Sequence, residues 1–393
     1  MARRTPPGRN TAIPQADRPL IAIRAHDDNK ELIEEFVPGK AAPVIVRMAM
    51  HWGYILRVRT RWSGAPDMRD YFGTKAIDDL AELGIGRDAM QRFASAEHIE
   101  VELYRDGSAT SDAAQFLDAA SEIPWEYLLS SATRNIGRFE SLLVTRCFSN
   151  GSAVTPSKPR NVLFVESSPG RIEQKYEFED EEERINAAVN IRGKKELEFS
   201  RTEPFSKLKA RVHSRAWEAI HVTGIDTHQV AWLIEDFYTA VARKADVIDK
   251  TDHLHDGMIL RGDYDSELPV RYDELADLLL ESKRPPFIIT LNLYYSGART
   301  ARELVKRGAY AAIGFLDEID DEFAERFFQA FYWAWCHRSR PIPAAFLEAW
   351  STMDGERMHG TAIVIWLGRS IIKRSDAREK RRFTSARRRS GDR

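Results

Sequence analysis

Pro285-Pro286-Phe287-Ile288-Ile289-Thr290-Leu291-Asn292-Leu293-Tyr294-Tyr295-Ser296-Gly297 is the stretch from which the fold is read. Phe287 to Leu291 is a short, apolar and partly β-branched run, the composition of a buried strand. A helical pattern covers residues 301–307 and stops at Gly308. A second apolar run at 309–315 leads through an acidic turn to a long amphipathic helix at about 322–335. Strand, helix, strand, helix at this pitch is a parallel-sheet unit with helices on its faces. Open sheets of this kind hold ligands beyond the carboxyl ends of their strands. The loop that starts at Asn292 is therefore the first place to look for a site.

Working outward, residues 161–165 form another buried-strand run, closed by Ser167-Ser168-Pro169-Gly170. Residues 177–190 read as a helix whose first-turn carboxylates suit the helix dipole. Strands at 196–199 and 217–222 flank a short helix at 205–213, and a last strand covers 362–367. The excursion 226–286 holds a helix at 230–242, a short strand at 256–260 and an amphipathic helix at 272–280. Toward the N-terminus, a strand is read at 21–24. Paired strands are read at 43–50 and 54–62, around His51-Trp52-Gly53. A helix at 76–83 stops at Gly84, and a strand at 98–104 turns at Asp106-Gly107, a hairpin signal. A polar loop then precedes Ile123-Pro124-Trp125-Glu126-Tyr127-Leu128-Leu129, and a strand at 142–148 carries Arg146.

The 393 residues allow two or three domains or one elaborate α/β unit. The expected organisation is a disordered tail (1–19), an α+β subdomain (20–155), an α/β core (156–372) and a basic, disordered tail (373–393), with the polar stretch 149–160 as linker. A net charge of −2 argues against the whole chain being a polyanion binder, although both ends are rich in Arg and Lys. Two cysteines, Cys147 and Cys336, cannot make a disulfide framework. With no signal-like apolar stretch, they point to a reducing, cytoplasmic setting. No run approaches the ~20 apolar residues of a membrane-spanning helix.

The frame Leu291-Asn292-Leu293-Tyr294-Tyr295-Ser296-Gly297 resembles the Leu-Asn-x-Cys-x-Ser-Gly element of CHAT domains, a branch of the caspase-like cysteine peptidases. The Ile123-Pro124-Trp125-Glu126 element and the Ser168-Pro169-Gly170 strand end are similar to further parts of that family, and the resemblance runs unevenly over residues 76–368. It implies a caspase-like, mainly parallel sheet with flanking helices, preceded by an α+β N-terminal subdomain. In that family the cysteine is the nucleophile, and a His-x-x-Gly-His-Gly pattern supplies the base. Here the second pattern reads His221-Val222-Thr223-Gly224-Ile225-Asp226. The resemblance thus puts Tyr294 at the thiol position and Ile225 at the imidazole position. An aliphatic side chain accepts no proton, and the thiolate is gone.

Substitute chemistry would have to come from Ser296 with His221 or His228 as base. The plainer reading makes Ser296 part of a helix-capping turn, His221 a satisfied core histidine and His228 a solvated loop residue. Tyr294 and Tyr295, with Asn292, Gly224, Asp317 and Asp321, are candidates for lining a peptide-holding cleft; the plainer reading has Tyr294 filling the vacated nucleophile pocket. Of the acids Asp317, Glu318, Asp320 and Asp321, one of the last two caps the following helix. His253 and His255 with Asp252 and Asp256 lack well-defined metal-site spacing, and neither a metal nor a cofactor is implied.

Three functions are in play. The first is a catalytically inactive CHAT-type pseudo-peptidase that binds another protein, or a peptide segment in its cleft, in the bacterial defence or programmed-death setting the resemblance implies. The second is a hydrolase with a rearranged site. The third is an adaptor making weak, non-specific nucleic-acid contacts through its basic termini.

Overall fold

The computed structural model describes residues 21–27, 32–36, 42–57, 66–103, 111–135, 142–148, 154–169, 178–190, 196–229, 256–264, 266–353 and 362–371. In chain order the strands are β1 (Ile21–His26), β2 (Leu32–Phe36), β3 (His98–Leu103), β4 (Leu143–Phe148), β5 (Asn161–Ser167), β6 (Glu196–Arg201), β7 (Ala219–Gly224), β8 (Gly257–Arg261), β9 (Glu267–Arg271), β10 (Ile288–Asn292), β11 (Ala311–Phe315) and β12 (Ile363–Leu367). Ten of them form one sheet in the order β2-β1-β3-β4-β12-β11-β10-β7-β5-β6, and β8 and β9 form a separate antiparallel hairpin. Six of the nine pairings in the large sheet are parallel, so the mainly parallel α/β class expected from the sequence is what is found. The N-terminal strands are not a separate layer: β4 pairs with β12 and extends the same sheet.

The helices are α1 (Ala42–Arg57), α2 (Pro66–Glu82), α3 (Arg87–Ala94), α4 (Ser111–Glu122), α5 (Trp125–Asn135), α6 (Glu179–Val189), α7 (Phe205–Ser214), α8 (Tyr272–Leu280), α9 (Thr300–Lys306), α10 (Asp321–Cys336) and α11 (Ile342–Thr352). They cover both faces, as the period-2 alternation of the central strands demands. Val165, Val222 and Leu291 enter one core with α7, α8 and α9, while Phe164, Ile288 and Ile313 enter the other with α6, α10 and α11. α10 supplies the second core with an aromatic stripe at helical spacing, Phe323, Phe327, Phe328, Phe331, Tyr332 and Trp335. Asp320 caps it, accepting the Phe323 amide at 3.0 Å. Among the described residues no helix is long and apolar enough to cross a membrane.

The N-terminal region departs from the sequence reading. Paired strands are expected at 43–50 and 54–62, but residues 42–57 form one helix, α1, and 58–62 lie outside the described residues. Its buried residues Ile45, Met48, Ala49, Trp52, Ile55 and Leu56 fall at the helical period rather than at alternate positions. Gly53, read as a turn, sits mid-helix with open space around it. The polar loop before Ile123 is largely α4, which buries Phe116, Ala119 and Ala120. The Asp106-Gly107 turn, both chain ends and the helix at 230–242 lie outside the described residues.

Arg146 joins the two halves of the sheet. It is 1% exposed and opposes Trp366 of β12 in register, with its guanidinium 5.6 Å from the indole centroid. It donates to both oxygens of Glu126 at 2.9 and 2.7 Å, to the Ile123 carbonyl at 2.8 Å and to the Ser121 carbonyl. The Pro124-Trp125-Glu126 element thus presents its acid to a buried cation. Arg146→Met strands the Glu126 carboxylate and is expected to cost about 3–5 kcal/mol, whereas Arg146→Met/Glu126→Leu recovers much of that loss. Urea unfolding of the two variants checks this; equal destabilisation would contradict it.

Candidate functional site

The register of two neighbouring parallel strands builds the site. β7 and β10 pair with Thr223 opposite Asn292, so the residues just beyond both strands emerge side by side. Ile225 and Tyr294 accordingly line one pocket at the carboxyl edge of the sheet, together with Gly224, Asn292, Asp321 and others. Gly224 has φ of 154°, and a Cβ there would collide with the Ser167 carbonyl of β5. That close approach is what requires glycine. Ile225 is fully buried, while Tyr294 is half-buried against the α10 core and its hydroxyl donates to Asp321 at 3.3 Å.

Behind the pocket runs a chain of buried polar groups on the α6/α10 face. His221 and Thr290 are register partners on β7 and β10, and His221 Nδ1 lies 2.7 Å from Thr290 Oγ1. Thr290 Oγ1 in turn lies 2.7 Å from the Tyr332 hydroxyl of α10. His221 Nε2 lies 2.8 Å from Glu181 Oε1 of α6, and Asn292 Nδ2 donates to the same oxygen at 2.9 Å. His221 stacks on Phe164 at 5.1 Å and meets Phe328 edge-on at 5.0 Å. Burial pushes the Tyr332 phenol far above its ordinary value, so its hydroxyl keeps its proton.

Sequence reasoning missed Glu181. It stands among the first-turn carboxylates of α6 and falls in helical register with the buried Ile185, Ala188 and Val189. A carboxylate on the apolar stripe of a helix is the signal that could have found it.

The other candidates have different posts. The Ser296 hydroxyl donates to the Leu293 carbonyl at 2.7 Å and accepts the Phe315 amide at 3.2 Å. It is not a helix cap, since Arg299 holds that position for α9. Gly297 donates to the Phe315 carbonyl at 2.7 Å, and a Cβ there would lie 2.7 Å from Val364 and 2.9 Å from that carbonyl. The Ser-Gly pair therefore clamps the post-β10 loop onto β11. His228 is not a solvated loop residue: its Nε2 lies 3.1 Å from Asp256 Oδ1 and its ring 4.6 Å from that of Tyr295. Asp226 accepts the His228 and Gln229 amides, and burial raises its carboxyl to about 6.

The acids at 317–321 are dispersed. Asp317 is buried, Glu318 accepts the Tyr295 hydroxyl at 3.3 Å, Asp320 caps α10 and Asp321 faces the pocket. Asp252, His253 and His255 lie outside the described residues. Both cysteines are buried away from the pocket lining, Cys147 on β4 and Cys336 at the end of α10.

The pocket is acidic. Burial raises the Asp321 carboxyl despite the Tyr294 hydrogen bond, which lowers it. Burial, then the Glu181, Asp180 and Asp321 charges, raise Glu325 to about 7, against the lowering effect of Arg184 at 3.2 Å.

No family model and no curated protein matches the chain. Among solved structures it is similar to the Arg-specific cysteine proteinase gingipain R, with a TM-score of 0.43 and 12% identity over 80% of this chain and 77% of that one. It is also similar to the Saccharomyces cerevisiae separase–securin complex, with a TM-score of 0.33 and 9% identity over 83% of this chain. It spans only 27% of that second chain. Likenesses this remote assign neither activity nor substrate.

A carboxyl whose folded pKa is raised contributes stability that is fully present below its unfolded value and is lost as pH climbs through the folded value. For Glu325 that window runs from about 4.5 to about 7. Glu325→Gln is therefore expected to raise the Tm at pH 8 and to leave it unchanged at pH 4. Thermal unfolding at both pH values checks the sign, and a Tm equal to wild type at pH 8 would contradict it.

Proposed function

We propose that this chain is a caspase-type scaffold without cysteine-peptidase chemistry, which uses the cleft at the carboxyl ends of β7 and β10 to hold a segment of another protein. The observation that carries this reading is that Ile225 and Tyr294 face one pocket. These are the two positions where the CHAT resemblance places imidazole and thiol. Neither a thiol nor an imidazole lines that pocket among the described residues. The fallback nucleophile supports the reading too, because the Ser296 hydroxyl is committed to two backbone partners. His221 is fully buried behind the pocket, and His228 is engaged by Asp256. The bacterial defence or programmed-death setting is proposed on the resemblance alone.

A mixed peptide library and a thiol-directed active-site probe test the reading. The wild-type chain is expected to cleave no member and to take no label. Loss of one member of a catalytic pair typically costs at least about 10³-fold in rate, so turnover by a chain lacking both should sit at background. Tyr294→Cys/Ile225→His is expected to gain labelling and slow cleavage. Wild-type cleavage abolished by Ser296→Ala would overturn the proposal in favour of a rearranged hydrolase.

A further inference from the structure

Two acceptors on residues that line the pocket have no partner among the described residues. Glu181 is 1% exposed, and its Oε1 is taken up by His221 and Asn292, but Oε2 has no partner among the described residues. Thr223 is fully buried on the same face of β7, and its Oγ1 is equally without a partner. Both side chains line the pocket, whose remaining charged lining residues are Asp321 and Glu325. Among the described residues no Lys or Arg lines it, and Arg184, which is a third exposed, is paired with Glu325. A buried acceptor without a donor is destabilising, more so when charged, and a ligand that brings donors recovers that cost on binding.

The arrangement also selects among cations. A guanidinium pairs best with a carboxylate through two parallel hydrogen bonds, which need both oxygens. Glu181 offers only one, because His221 and Asn292 hold the other. An ammonium group is a compact point charge with three donors, suited to single acceptors from different side chains. The cavity's open volume of about 40 Å³ admits a head of that size.

We propose that this pocket binds the ammonium head of a lysine side chain, with Glu181 Oε2 and Thr223 Oγ1 as its acceptors and the carboxyl groups of Asp321 and Glu325 beside it. That the lysine belongs to a peptide rests on the cleft reading above. The preference for ammonium over guanidinium rests on the Glu181 geometry alone.

The test uses the full-length chain and three fluorescent pools of random heptapeptides, with lysine, arginine or norleucine fixed at the centre, read by anisotropy. The lysine pool is expected to bind at least about 10-fold more tightly than the arginine pool, a difference of about 1.4 kcal/mol, and the norleucine pool not measurably. Glu181→Gln is expected to weaken lysine binding by about 10-fold or more. Since that variant also alters the His221 contact, Thr223→Val serves as a second probe that leaves His221 untouched. It is expected to lower lysine binding by about 3- to 10-fold with an unchanged Tm. Equal binding of the lysine and arginine pools, full binding by both variants, or no binding by any pool would overturn the inference. Selective lysine binding accompanied by cleavage would support it while overturning the inactive-scaffold reading, so the two fail separately.

Discussion

A carboxylate taken out of water has to be hydrogen-bonded where it lands, and the Glu181–His221 contact is how this protein meets that requirement. Its consequences reach through three elements. α6 enters the sheet face at the point where Glu181 meets β7, β10 adds Asn292 to the same oxygen, and α10 closes the chain through Tyr332 and Thr290. Where Nε2 carries the only ring proton of His221, every link is satisfied: Tyr332 donates to Thr290, Thr290 to His221 Nδ1, and His221 Nε2 to Glu181. A network with all its members paired fixes side-chain orientation, and a mispaired one is costly. The orientation fixed here leaves the other carboxylate oxygen, Oε2, without a partner among the described residues.

The opposite face is anchored just as firmly. Arg299, at the start of α9, bridges Asp256 and Glu122, and Arg302 reaches Asp118 and Ser121 on α4. The Trp366 indole donates to the Gly297 carbonyl at 2.7 Å while its ring lies under Arg146. The loop after β10 is thus held by β12 through Trp366 and by α4 through Glu122. The N-terminal strands extend the large sheet, and α4 backs the cleft.

The parallel core was legible because its elements obey strong local rules. Residues 288–292 and 311–315 are short apolar runs, and α8 and α10 carry long helical stripes, so pattern alone located them. The resemblance brought Ile225 and Tyr294 forward as a pair, and the Thr223–Asn292 register supplies the physical reason that they meet. The N-terminal region was less readable. In α1, Gly53 and the β-branched Val44, Ile45 and Val46 mimic a hairpin, and the burial of residues at the helical period, with Trp52 against Tyr127 and Phe72, decides for a helix. That is tertiary packing overriding local preference. The polar floor of the pocket was hidden for a different reason. Glu181 sits among four first-turn acids that the helix dipole already explains, and its place on the apolar stripe of α6, rather than its place in the first turn, marks it as the one that turns inward.

Nitrogen and proton NMR of the His221 ring, assigned with a His221→Phe control, reads this network at its centre. A slowly exchanging proton on Nε2, held by Glu181, and a bare Nδ1 that accepts from Thr290 are expected. A proton on Nδ1 with a bare Nε2, or a ring proton in rapid exchange with water, would contradict that arrangement.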